Sequence, residues 1–356
     1  GRREAGGGQY LDGPDIVEPP SSSYSKKPVP SDFRVVSSDG SHIEVDRHLA
    51  VRCFLINVGV SVLTYGSSPN ADLHSRPLLY ASDEELVIRD VGTGREQVIE
   101  GAVLGAKRAV EEIGALVEIM RDLTLGTPSL ALMDGSLVMM GLVGHGYHDF
   151  VLQELIENGF VESLGDLRGI SGHSPFALAS YISLPGHADV VSALRMTICS
   201  HTDSNSELRC GSRGPGSSPC DRCVGGVLDR DIYADILKPG ERSAVFGIKS
   251  PVIDNYYFGT GISFFYVHVG EEIGRVEVPS WVSDDPVALE LVHSLVVDQC
   301  DRGRGYPVAL MEAHEQAVVG GADRRFFVQA VESALSSQRL PVYSSEKARS
   351  KRIRMM

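Results

Sequence analysis

Two aspartates constrain this chain more than any other feature. Each follows an apolar run, and each is itself followed by glycine and serine. Phe33-Arg34-Val35-Val36 leads to Asp39-Gly40-Ser41, and Leu130-Ala131-Leu132-Met133 leads to Asp134-Gly135-Ser136. An apolar run of this kind reads as a strand, and Gly with Ser reads as the turn that ends it. Each carboxylate is therefore expected where a strand stops, projecting from a sheet edge. Two carboxylates brought together repel one another unless cations lie between them, which is how a divalent-metal site is assembled. Far downstream, Gly305-Tyr306-Pro307 and His314 add a phenol and an imidazole.

A chain of 356 residues that is 42% hydrophobic can bury one large core or two ordinary ones. No apolar stretch reaches the roughly 18 residues that span a bilayer. Arg52 and Asn57 interrupt one candidate, and Asp134 the other. The opening Gly1-Arg2-Arg3-Glu4 lacks the apolar segment of a secretory leader, and the absent Met points to residues missing before it. The expectation is a soluble intracellular protein with no membrane partner. A net charge of -14 argues against a nucleic-acid partner. Charge is uneven, however: Lys347, Arg349, Lys351, Arg352 and Arg354 crowd the C-terminus. Such a tail is ordinarily a solvated end. The alternative is an arm that grips phosphates.

Residues 1–30, rich in Gly, Ser and Pro, are expected to lack fixed structure. From Phe33 to about Tyr80 the pattern predicts consecutive strands in a meander, one edge presenting Asp39. Val110, Ile113, Val117 and Met120 recur at steps of three and four, which predicts a helix over Gly101–Asp122. Leu130 to Val143 reads as a buried strand broken at Asp134, and Phe150 to Asn158 as a helix stopped by Gly159. Ser174 to Arg195 alternates helix-like segments with Ser183-Leu184-Pro185-Gly186. Ser263–Val269 and Arg275–Val278 form a hairpin around Gly270 to Gly274. Pro286 opens a helix to Cys300 with Asp285 as its cap, Pro307 opens another through Val319, and a last one spans Asp323 to Leu335.

Taken singly, the site candidates have ordinary readings. Asp-Gly is common in tight turns. His314 shares a helical face with Leu310 and Val318, where a packed core histidine is the usual outcome. Cys53 and Cys300 lie in apolar segments and read as buried thiols. Cys199, Cys210, Cys220 and Cys223 crowd one polar loop, the last two as a CxxC. In an intracellular chain that density favours a structural metal over disulfides, zinc first and an iron–sulfur cluster second; the alternative is a flexible insertion with free thiols. The chain has no GxxxxGK[ST] phosphate loop, so it is not expected to hydrolyse ATP.

Ordered motifs over Asp32 to Leu335 resemble the NurA nuclease family. They are Gly240-Glu241-Arg242-Ser243, Ile262-Ser263-Phe264-Phe265-Tyr266-Val267, Arg275-Val276-Glu277-Val278-Pro279-Ser280-Trp281-Val282, Gly305-Tyr306-Pro307-Val308-Ala309-Leu310 and Ala313-His314-Glu315-Gln316-Ala317-Val318. The two Asp-Gly-Ser segments fall where that family has its first and third acidic motifs. The resemblance implies an α/β fold with a ribonuclease H-like core, a mixed β-sheet flanked by helices, over 31–340. The Cys-containing segment at about 199–223 is inserted into that domain, and 341–356 form a basic tail. It further implies a manganese-dependent deoxyribonuclease, with magnesium as the alternative ion, of the 5′–3′ exonuclease and single-strand endonuclease type. Such an enzyme is a homodimer that works with a HerA-type hexameric translocase in DNA end resection, in a prokaryotic, nucleoid-associated cytoplasmic setting. The acidic net charge then ceases to be an objection, because only the substrate channel of such an enzyme must be positive.

By the same resemblance Asp39 and Asp134 are metal ligands, His314 completes the metal site, and Tyr306 sits beside the scissile phosphate. The family also uses a glutamate on the intervening helix, for which Glu111, Glu112 and Glu118 compete. The helical wheel does not settle the choice, since Glu112 and Glu118 border opposite sides of the apolar stripe. The family's pattern of an arginine four residues before the glutamate matches Arg108 and selects Glu112. Neutral imidazole at His314 suits manganese better than magnesium. Arg242, Lys249 and Arg275 are candidates to line a DNA channel, or alternatively surface ion-pair residues. A catalytically inactive DNA clamp of the same complex, and an RNA-directed ribonuclease H-like enzyme, are the competing readings.

Overall fold

The computed structural model describes residues 14–16, 18–44, 52–123, 126–143, 145–172, 175–198 and 225–337. These fall into two compact units. The first comprises Pro30–Asp134, Met139–Leu178 and the described residues from Val308 onward. The second comprises the described residues up to Val29, with Gly135–Val138 and Ala179–Pro307.

In chain order the strands are β1 (Asp15–Ile16), β2 (Ser23–Ser25), β3 (Phe33–Glu44), β4 (Phe54–Tyr65), β5 (Asn70–Tyr80), β6 (Val87–Arg89), β7 (Glu96–Val98), β8 (Ser129–Asp134), β9 (Phe176–Ile182), β10 (Glu241–Ser243), β11 (Phe246–Gly247), β12 (Ile262–His268) and β13 (Ile273–Pro279). The helices used below are α1 (Gly101–Asp122), α2 (Asp149–Leu152), α3 (Glu162–Ser171), α4 (Asp189–Ile198), α5 (Asp229–Ile236), α6 (Pro251–Tyr256), α7 (Ser280–Ser283), α8 (Pro286–Arg302), α9 (Val308–Ala317) and α10 (Gly321–Ser337). No helix among the described residues is long and apolar enough to cross a membrane.

In the first unit, β3, β4 and β5 form the predicted antiparallel meander, with Phe33 opposite Tyr65 and Phe54 opposite Tyr80. The chain then crosses through α1 to set β8 parallel to β3, giving the order β9-β8-β3-β4-β5, of which this unit holds only the first three residues of β9. Three antiparallel strands, with β8 added parallel across a helix, make a mixed α/β core. The predicted bounds of α1 hold: Val103, Leu104, Ile113, Leu116, Val117 and Met120 are all buried. Each such side chain contributes about 1.5–3 kcal/mol of burial.

Helix α9 packs against β4 so closely that a side chain on Gly59 would lie 2.1 Å from the Ala313 carbonyl oxygen and 2.3 Å from the Ala317 nitrogen. Polar groups of the strands grip it: Ser61 Oγ donates to the Ala309 carbonyl at 2.8 Å, and Asn57 Nδ2 to those of Gln316 and Ala317 at 3.0 Å.

Several expectations need correction here. Asp39-Gly40-Ser41 is not a turn but the middle of β3, a strand flanked by both β8 and β4 rather than an edge. No strand continues over residues 135–143; the chain turns after Asp134 and later forms a single 3-10 turn at Met140–Leu142. Gly159 does not stop its helix. It lies in a π-helical segment, Gln153–Val161, that joins α2 to α3. A side chain there would come within 3.0 Å of both Val110 methyls on α1, so the glycine serves packing. Phe176–Ile182 is a strand, not helix-like; it is a continuous apolar run because Phe176–Tyr181 are buried throughout.

In the second unit β12 and β13 form the predicted hairpin, flanked by β9 beside β13 and by β10 and β11 beside β12. Val190, Tyr233, Leu237, Phe246, Phe264, Tyr266 and Ile273 are its core. Asp285 caps α8 as expected, its Oδ1 accepting from Val287 N at 2.8 Å. The N-terminal stretch read as unstructured contributes β1 and β2, paired with β11 and β10. Such short edge strands carry too little pattern to be read before their partners are known.

Candidate metal centre

The parallel register sets two carboxylates side by side. Ser38 is opposite Met133, the last pair of the β3–β8 ladder, so Asp39 and Asp134 occupy the next position on each strand. Beyond Ser38 the β8 side of β3 is open, because β8 ends at Asp134. Gly135, at φ +85°, then turns the chain, as the sequence predicts for the second Asp-Gly-Ser.

Alternation along β3 distributes the neighbours of Asp39 between two faces. Asp39 and Ser41 face α9: Asp39 Oδ2 lies 2.6 Å from His314 Nδ1, and Ser41 Oγ donates to the Ala317 carbonyl at 2.5 Å. Asp39 Oδ1 accepts from the Gly40 amide at 2.8 Å. Ser38 and Gly40 face α1: Ser38 Oγ donates to the Glu112 carbonyl at 2.9 Å. A side chain on Gly40 would lie 2.4 Å from Glu112 Oε1 and 2.8 Å from Arg108 Cγ. Glycine is thus required at Gly40 by the closeness of α1, not by a turn.

Burial distinguishes the three glutamates. Glu118 is exposed and pairs with Arg76 at 2.5 Å, and Glu111 pairs with Lys107 at 2.6 Å. Glu112 is only 7% exposed. Burial pushes its carboxyl up to about 8; Arg108 opposes the shift, while the nearby charges of Asp39 and Asp134 add to it. Arg108 Nε lies 3.0 Å from Glu112 Oε1, close enough for charge but misaligned, so Oε1 has no hydrogen-bond donor.

A buried carboxyl opposed by the charges of two aspartates, with a carboxylate oxygen lacking a donor, and a nearby imidazole form a donor set whose chemistry fits a hard or borderline divalent cation. Among the described residues no three of these side chains stand at cation-binding separations from a common point. The two-faced approach to β3 accounts for that.

Other expectations fare differently. Tyr306 belongs to the second unit, its ring edge-on to Tyr181 with centroids 5.7 Å apart. Arg242 and Arg275 are buried rather than at the surface. Arg242 is 7% exposed, donates to the Ser243 carbonyl and lies over the Tyr24 ring. Arg275 is 2% exposed and paired with Glu277 and Asp189. Lys249 is at the surface, 2.6 Å from Asp15. Cys53 and Cys300 are buried as expected. Cys199, Cys210, Cys220, Cys223 and the basic tail lie outside the described residues.

Sequence reasoning missed Glu277. Its Oε2 accepts from Ser136 Oγ at 2.7 Å and Leu137 N at 2.9 Å, fixing the turn that follows Asp134. The Gly135 amide bonds the Tyr181 carbonyl at 3.0 Å, and Tyr257 Oη donates to the Leu137 carbonyl at 2.8 Å.

The model of the NurA domain matches residues 33–319. The chain belongs to the NurA family. The NurA nuclease from Sulfolobus solfataricus has a crystal structure similar to this chain, with a TM-score of 0.53 at 12% identity, covering 89% of this chain and 88% of that one. A crystal structure of NurA with manganese gives a TM-score of 0.43 at 11% identity, covering 88% and 91%. At such identities the NurA likeness is one of fold. None of the curated proteins compared matches this chain.

Proposed function

We propose that this NurA-family chain is a divalent-metal-dependent deoxyribonuclease of the 5′–3′ exonuclease and single-strand endonuclease type. It works as a homodimer with a HerA-type translocase in DNA end resection. The observation that carries the reading is Glu112, a buried carboxylate whose oxygen lacks a donor and whose charge is opposed by Asp39 within β3 and Asp134 at the end of β8. Asp39, Glu112 and Asp134 would hold the ion, manganese before magnesium, with His314 beside them. When bound, such an ion supplies Lewis-acid polarisation of the scissile phosphate and lowers the pKa of a coordinated water.

The protein's own groups prepare this. In the tautomer whose Nδ1 donates to Asp39 Oδ2, His314 would offer Nε2 as a ligand or acceptor. The Gly40 amide fixes the other Asp39 oxygen, so the carboxylate is oriented in advance. The chain lacks a phosphate loop, so movement along DNA must be driven by the partner's ATP hydrolysis.

The test uses matched single-stranded DNA, duplex DNA and RNA with manganese, with and without a HerA-type ATPase and ATP. The expected result is DNA cleavage, little RNA cleavage, and duplex degradation raised at least about tenfold by the motor. Preferential RNA cutting would move the assignment to a ribonuclease. Tight DNA binding without cutting, even with the motor, would make the chain a clamp.

A further inference from the structure

Beside Glu112, on the α1 face of the β3 end, lies a group of basic side chains that the proposed chemistry does not use. Gly40 and His42 share that face by strand alternation. The aliphatic stem of Arg108 crosses over Gly40, where a side chain would sit 2.8 Å from its Cγ and 3.1 Å from its Cδ. His42, two positions on, is partly buried, and its Nδ1 is buried without a hydrogen-bond partner. Arg324, in the first turn of α10, reaches the same strand and donates from Nη2 to the His42 carbonyl at 3.2 Å. Its guanidinium is otherwise exposed.

Two guanidinium groups thus flank one imidazole. Burial first, then the charge of Arg108 and, more weakly, that of Arg324, hold His42 below the ordinary imidazole range; Glu44 acts the other way. At neutral pH the ring is uncharged, so the positive charge comes from the arginines. The Arg108 Nε is itself buried without an aligned acceptor. Among the described residues no carboxylate forms an ion pair with Arg324, and Arg108 pairs only with Glu112. An anion with several oxygens is what the two arginines lack, and planar guanidinium forks suit phosphate.

We propose that His42, Arg108 and Arg324 form a binding site for a phosphate of the nucleic-acid strand, adjacent to the metal centre. The inference rests on the nuclease reading for the identity of the strand. The phosphate is either an internal diester or a terminal 5′-phosphate, and the two share the same chemistry.

The experiment measures binding of fluorescent single-stranded DNA in EDTA from 50 to 300 mM salt, with and without a 5′-phosphate. It compares the unsubstituted chain with Arg324→Gln, Arg324→Lys and His42→Gln. Arg324→Gln should weaken binding about five- to tenfold at 100 mM salt and reduce the slope of log K against log salt by about 0.7, one phosphate contact. Arg324→Lys should recover most of the slope, and His42→Gln should weaken binding with no change in slope. Because Arg324 is exposed, melting temperature should not move, which separates the effect from misfolding. A loss on both DNAs assigns an internal diester; a loss confined to the phosphorylated one assigns the terminal phosphate. If the unsubstituted chain binds DNA but Arg324→Gln binds with the same affinity and slope, the site is wrong. If the unsubstituted chain does not bind DNA, the nuclease reading has failed first.

Discussion

Glu277→Ala is expected to lower the stability of the protein by about 3–5 kcal/mol, the usual result of removing one partner of a buried ion pair. Glu277 and Arg275 are 1% and 2% exposed, with Nε 3.0 Å from Oε1. Burial alone would lower the Arg275 pKa, but Glu277, Tyr266 and Asp189 reverse this and hold it above its ordinary value. Without Glu277 that charge keeps Asp189, at 2.5 Å, the Tyr266 hydroxyl, at 3.4 Å, and the face of Phe264 beneath its guanidinium. The Ser136 hydroxyl and Leu137 amide lose their acceptor in the same step. Replacing both partners with apolar residues, Arg275→Met with Glu277→Leu, should cost less than Glu277→Ala alone. Urea denaturation of the three proteins checks this. A Glu277→Ala midpoint equal to that of the unsubstituted chain would show that the pair contributes nothing.

The second large effect concerns pH. Glu112 has its carboxyl raised from 4.5 to about 8, by burial above all and then by Asp39 and Asp134 against Arg108. A raised pKa means that the folded state holds the proton more tightly than the unfolded one. The stability it brings is complete below about pH 4.5 and is lost as pH climbs through about 8, by a few kcal/mol in the metal-free protein. Glu112→Gln, which cannot ionise, should therefore hold a flatter melting temperature between pH 5 and 8 in EDTA. The unsubstituted chain should fall by several degrees more over that range, and manganese should reverse the fall at pH 8, because a cation favours the carboxylate. Parallel melting curves for the two proteins would mean that Glu112 is not buried as a repelled carboxyl.

Much of this was legible in the sequence, and the exceptions share a cause. The period of Val110, Ile113, Val117 and Met120 fixed α1, because an amphipathic stripe is a local property. The turn after Asp134 was legible for the same reason. The first Asp-Gly-Ser misled because Gly40 is dictated by a helix some seventy residues away, whose Arg108 and Glu112 leave no room for a side chain. Gly159 misled in the same way, its neighbour being Val110. Arg275 suggested a DNA contact because nothing nearby in sequence reveals that it will be buried and that Asp189, from 86 residues away, will pair with it. The carboxylates could be listed from sequence; the faces of β3 from which they approach could not.

The measurement that tests the central claim most directly is degradation of end-labelled DNA in manganese, magnesium or EDTA, by this chain and by its Asp134→Ala variant. The account predicts cleavage with manganese, weaker cleavage with magnesium, none in EDTA, and a loss of at least about a thousandfold in the variant with DNA binding retained. Undiminished cleavage in EDTA or by Asp134→Ala would show that Asp39 and Asp134 do not hold a catalytic metal.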